Sequence, residues 1–135
     1  MNLGIKNGKV IDFDFAEQIV KNNVSTMKGR KALFEGLTTS KLRNLLDLVN
    51  NIYSVVINNP EKELSEDVKD KIAYLKVKFA YEVGRDKPVK KFVEQTYVKD
   101  LIDDVLKGGT RKQFLNYCKY FEALVAYSKY YGMED

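Results

Sequence analysis

LTTSKLRNLLDLVNNIYSVVI, residues 37–57, is the stretch around which the chain organises. Leu42, Leu45, Leu46, Val49, Ile52, Tyr53 and Val56 recur every three or four residues, the spacing of one face of a helix. Leu48 and Val55 lie outside that face and add a second apolar edge. A surface helix needs only one apolar side, so the pattern predicts a central helix with neighbours on two sides. Thr38 supplies the hydroxyl that caps its start. Lys41 and Arg43 stand in the first turns, where the helix dipole disfavours cations. Two partners can offset that cost: Asp47, four residues beyond Arg43, or an external anion such as a phosphate.

Upstream, residues 1–13 read as irregular or weakly extended, with turns at Gly4, Asn7 and Gly8. Val10, Ile11 and Phe13 can plug this segment onto the body. Asp14 and Glu17 have the form of a capping box, which predicts a helix from there to about Met27. Lys28, Arg30 and Lys31 then cluster around Gly29, which bends a helix or separates two. Downstream, Asn58, Asn59 and Pro60 end the central helix. Ser65 caps the next, with Val68, Ile72, Leu75, Phe79 and Val83 as its main stripe and Tyr74, Val77 and Tyr81 as a second. Pro88 opens a fourth helix, with a kink expected near Thr96, Tyr97 and Val98. Gly108 and Gly109 stop it, and Thr110 caps the last. Helices are thus expected near 14–28, 38–57, 65–83, 88–107 and 110–131, with under ~5% strand. The fold class is all-α: a compact bundle of about five helices forming a single domain over 14–135, after the irregular segment 1–13.

Composition narrows the chemistry. The chain has 135 residues, no histidine and one cysteine, so histidine-based acid–base chemistry, disulfides and thiolate metal clusters are not expected. Cys118 reads as a small buried hydrophobe in a reducing cytoplasm. No apolar run is long enough to span a bilayer, and the first residues lack the basic-then-apolar order of a signal peptide. Asp103 and Asp104 are adjacent on a helix and do not face each other, and Asp67 and Asp70 stand among lysines. A metal site, a cofactor and catalytic residues are therefore not expected. Net charge is +4 and unevenly spread. Residues 1–57 carry eight Lys/Arg against five Asp/Glu and residues 85–119 nine against five, while 58–84 carry five against six. Two positive segments can fold into one basic face, although a lysine excess also serves solubility.

The nine tyrosines are the other signal. Helical spacing assigns Tyr53, Tyr74 and Tyr117 to the core. Ala123 and Ala126 make a flat patch on the last helix, with Tyr120, Tyr127, Tyr130 and Tyr131 around it and facing outward. A floor of small residues rimmed by tyrosines suits a protein interface, formed by Ala123, Ala126, Tyr127 and Tyr130. Packing by another helix of the same bundle would leave the same pattern.

LTTSKLRNLL at 37–46, YEVGR at 81–85 and YFEALVAYSKYYG at 120–132 are together similar to segments of the small subunit of type III-A CRISPR effector complexes, the Csm family. The resemblance runs from about Phe15 to Gly132. It departs at Ser128, where family members often carry a ring or a basic side chain. The resemblance implies a noncatalytic, cytoplasmic subunit of an antiviral defence complex, stacked head to tail as a short filament. Its implied partners are guide RNA and target RNA, other effector subunits and copies of itself, with no membrane and no cofactor. The basic positions carried over are Lys41 and Arg43, then Arg85 and Lys129. Contact with a guide–target duplex regardless of its sequence goes to phosphate and ribose, which a few cations on rigid helices supply. The alternatives are a helical protein–protein adaptor without direct RNA contact and, from another class, a small enzyme using carboxylates.

Overall fold

In the computed structural model, which describes residues 1–132, Thr38 accepts a hydrogen bond from the Lys41 amide and starts helix α2, Thr39–Ile57. Leu42, Leu45, Val49, Ile52 and Val56 are buried along one side of it. Helix α3 (Glu66–Arg85) and helix α6 (Arg111–Tyr131) pack against α2, so it has neighbours on two sides. The bundle is completed by α1 (Phe13–Asn22), α4 (Lys87–Thr96) and α5 (Asp100–Gly108). The fold of the described residues is an all-α bundle of six helices. Phe34, Phe79, Phe92 and Phe121 meet at its centre: Phe92 stands edge-on to Phe34 at 5.1 Å and to Phe121 at 6.0 Å.

The sixth helix arises because the segment expected as one helix over 88–107 breaks at Tyr97. That residue takes a left-handed conformation (φ 64°, ψ 17°), which ends α4. Breaking a helix in the core strands carbonyls that must find donors. Two tyrosines of α6 supply them: Tyr120 Oη donates to the Thr96 carbonyl at 2.7 Å and Tyr117 Oη to that of Val98 at 2.6 Å. Burial raises the pKa of both phenols, so they stay protonated donors. Tyr120 therefore does not face outward as expected; it is fully buried. The reverse correction holds for Tyr53 and Tyr74, assigned to the core but exposed, and Val77 and Tyr81 are exposed with them.

Two short antiparallel hairpins lie outside the helices and take strand content above the expected ceiling. The first, β1 (Ile5–Lys6) with β2 (Lys9–Val10), occupies part of the segment expected to be irregular and turns at Asn7 and Gly8. Ile11 is the plug that holds it: the side chain is fully buried, while Val10 and Phe13 are exposed. The helix that follows is capped by Asp12, not Asp14; Asp12 Oδ1 accepts from the Phe15 amide at 2.9 Å. This helix ends at Asn22, well short of Met27. Asn23 intervenes, its buried amide donating to the Ile19 carbonyl at 2.8 Å and to Gln95 Oε1 at 2.7 Å. Beyond it, β3 (Val24–Met27) pairs with β4 (Arg30–Leu33). Lys28 (φ 53°) and Gly29 (φ 77°) form the two-residue turn. Positive φ at both central positions matches the right-handed twist of the strands, which glycine adopts without penalty.

At the far end of the bundle, Arg111 Nε donates to the Asn59 carbonyl at 3.0 Å, at the end of α2. Thr110 caps α6 and forms a bridge with Glu63. Cys118, on α6, is buried, and desolvation pushes its thiol pKa up to about 12.

Candidate nucleic-acid interface

Because Arg111, at the start of α6, meets the end of α2, the two helices are antiparallel, and the end of α6 returns to the start of α2. An ion pair between Lys41 and Asp86 brings the end of α3 and the start of α4 to the same place. The β3–β4 hairpin joins them: a Cβ placed on Gly132 would lie 3.1 Å from Lys31 Cδ. One end of the bundle thus gathers Lys41, Arg43, Arg85 and Lys129 with the hairpin.

Lys41 is half-buried, and its ammonium pairs with the Asp86 carboxylate, which also caps α4 by accepting from the Val89 amide at 3.0 Å. Lys41 first, and Val89 second, hold the Asp86 carboxyl below the usual carboxylate range. An internal carboxylate from a distant part of the sequence therefore compensates Lys41 at the helix start. Arg85 is exposed; its Nε lies 3.3 Å from Glu82 and its guanidinium 5.4 Å from the centre of the Tyr81 ring. The Tyr81 hydroxyl and then Glu82 raise its pKa further. Arg43 and Lys129 are exposed on α2 and α6. Lys41 and Arg85 are brought together around Asp86; Arg43 and Lys129 reach the same end on separate helices.

Of the expected interface residues, Ala126 and Tyr130 are exposed, Tyr130 at 79%. Ala123 and Tyr127 are half-buried, because α1 packs along α6. The Tyr131 hydroxyl donates to Glu17 of α1, and Lys21 lies 5.8 Å from the Tyr131 ring centre. That hydrogen bond is the main cause of a Tyr131 pKa raised to about 12. The open part of this face is therefore a narrow ribbon, Ala126 and Tyr130. Among the described residues no group of three or more Asp, Glu, Cys or His side chains converges on a point that could hold a metal ion. Among the described residues no helix is long and apolar enough to cross a membrane.

The candidate residues drawn from the sequence omit further cations at this end. Lys28, Arg30 and Lys31 are exposed on the hairpin. Lys87 and Lys90 are exposed on the first turn of α4, and Lys91 pairs with Glu35 at 3.1 Å. The cluster of residues 28–31 is visible in sequence; what hides its geometry is that four-residue strands leave almost no alternation to detect.

A model of the family described as Csm2 Type III-A matches residues 15–134. The CRISPR system Cms protein Csm2 of Enterococcus italicus is 57% identical over 134 residues, covering 96% of each chain. The Csm2 protein of Mycobacterium tuberculosis is 33% identical over 126 residues, covering 93% of this chain and 98% of its own. That of Streptococcus thermophilus is 36% identical over 99 residues, 73% of this chain and 76% of its own.

Proposed function

From the premise that this chain belongs to the Csm2 family, the small subunits of type III-A CRISPR effector complexes, we propose that it is a noncatalytic, cytoplasmic subunit. In this reading it stacks as a short filament and touches the backbones of target and guide RNA through a basic face. The supporting observation is the convergence of Lys41, Arg43, Arg85 and Lys129 on one end of the bundle. Cations on rigid helix ends contact phosphates without reading bases. Each copy makes few such contacts, and stacking multiplies them along the strand.

The test is salt dependence in the assembled complex. Lys41→Ala with Arg43→Ala is expected to weaken target-RNA binding equally for unrelated guide–target pairs. It should lower the slope of log affinity against log salt by about 0.7–0.9 for every phosphate that each copy ceases to neutralise. Unchanged affinity and slope in a fully assembled double mutant would reject the role. The internal pairing of Lys41 with Asp86 and of Arg85 with Glu82 favours the adaptor alternative for those two residues, and the same measurement separates the readings.

Self-stacking is proposed through the exposed ribbon on α6. Ala126→Glu puts a charge on it without entering the core, so the isolated protein should keep its thermal midpoint while its incorporation into the complex falls. Normal incorporation would place the contact elsewhere.

A further inference from the structure

Lys28, Arg30 and Lys31 are exposed together on one ribbon outside the helices. We propose that the β3–β4 hairpin is a phosphate-gripping finger, in which Lys28, Arg30 and Lys31 bind the phosphodiester backbone of a nucleic-acid strand. This inference rests on the RNA reading above and assigns it a second set of residues.

Four observations carry it. First, all three side chains are exposed, and none forms an ion pair with another described residue. At this end of the bundle Lys41, Arg85, Lys90 and Lys91 each have a carboxylate, whereas the three hairpin cations have none among the described residues. Second, the strands pair chiefly with each other, and the ladder from Val24 to Met27 carries the tip roughly 10 Å from its base. Third, the base is rigid. Leu33 and Phe34 are buried, the Phe34 amide donates to the Asn23 carbonyl at 3.0 Å, and the Asn23 side chain is bonded to two helices. Fourth, neighbouring residues of a strand point to opposite faces. Lys31, on the face of Leu33, runs its stem along Gly132, and Arg30 projects from the other. Arg30 thus lies on the face turned away from Leu33, and Lys31, its stem against Gly132, stays exposed beside the tip.

A second copy stacked end to end is the weaker occupant. At the opposite end of the bundle Glu61, Glu63, Glu66, Asp67 and Asp70 are interspersed with Lys62, Lys69, Lys71, Lys107, Arg111 and Lys112. That end offers the hairpin no negative face, whereas a nucleic-acid backbone carries one charge per nucleotide.

The experiment uses the assembled complex with Lys28→Asn, Arg30→Gln and Lys31→Gln combined. Asparagine is chosen at position 28 because it tolerates left-handed backbone. The probes are two target RNAs of unrelated sequence, each with its matching guide, titrated over a range of salt concentrations. The expected result is normal incorporation, an equal loss of affinity for both RNAs, and a slope reduced by about 0.7–0.9 for every phosphate released from the hairpin of each copy. A slope unchanged by the hairpin variant but lowered by Lys41→Ala with Arg43→Ala would overturn the finger and leave the RNA reading standing. Slopes unchanged in both would overturn both. A folded hairpin variant excluded from the complex would make the ribbon a protein contact and overturn the proposal. Arg30→Gln by itself, on a strand and exposed, carries the same test should the triple variant fold poorly.

Discussion

Tyr120→Ala is expected to lower the unfolding free energy by about 3–5 kcal/mol, the range for truncating a buried aromatic side chain. The ring has no exposed surface, and its hydroxyl satisfies the Thr96 carbonyl where α4 breaks. Tyr120→Phe separates the two contributions: it keeps the ring and orphans the carbonyl, at a cost of about 1–3 kcal/mol. Urea denaturation with an unchanged m value is the measurement. A loss below ~0.5 kcal/mol for the alanine variant is what a surface tyrosine would give and would refute its place in the core.

Phe92→Ala is expected to cost about as much, roughly 3–5 kcal/mol, with a different secondary effect. Phe92 lies between Phe34, at the base of the β3–β4 hairpin, and Phe121 on α6. Emptying that position removes the edge-on partner that holds Phe34 in place. Amide exchange at Phe34, whose N–H closes the hairpin base on Asn23, should therefore accelerate more than exchange in the middle of α2. Equal acceleration at both would show that the variant acts only through global unfolding.

The helices were legible because their apolar residues repeat over many turns. In α2 the alternatives to a helix fail from Leu42 to Val56, and in α3 Val68, Ile72, Leu75 and Phe79 leave as little choice. Boundaries were less legible where the deciding partner is distant in sequence. Asp12 and Asp14 are equally good caps by local pattern, and what selects Asp12 is the burial of Ile11. The break at Tyr97 was foreshadowed by poor helix formers, but its completeness depends on two hydroxyls about twenty residues downstream, at Tyr117 and Tyr120. Tyrosine itself is the ambiguous letter. A ring with a polar tip suits a carbonyl in the core as well as solvent, so spacing misplaced Tyr53, Tyr74 and Tyr120. At the candidate site, the oddity of a cation in the first turn of α2 was readable, but its internal counter-charge, Asp86, was not, because the pair closes across α3.

The one sulfhydryl of this chain, on α6, has a further consequence. The thiolate is the nucleophile that attacks alkylating and disulfide reagents, and a thiol whose pKa burial pushes up to about 12 offers almost none at neutral pH while it stays enclosed. Its modification should therefore speed up when α6 comes away from its neighbours. The polypeptide thus contains a stopwatch for its own opening, with no engineered label and no second cysteine to confuse the count. In a particle holding several copies, labelling would time how tightly assembly clamps each one, since any neighbour that binds only the closed form slows the clock in proportion to its affinity.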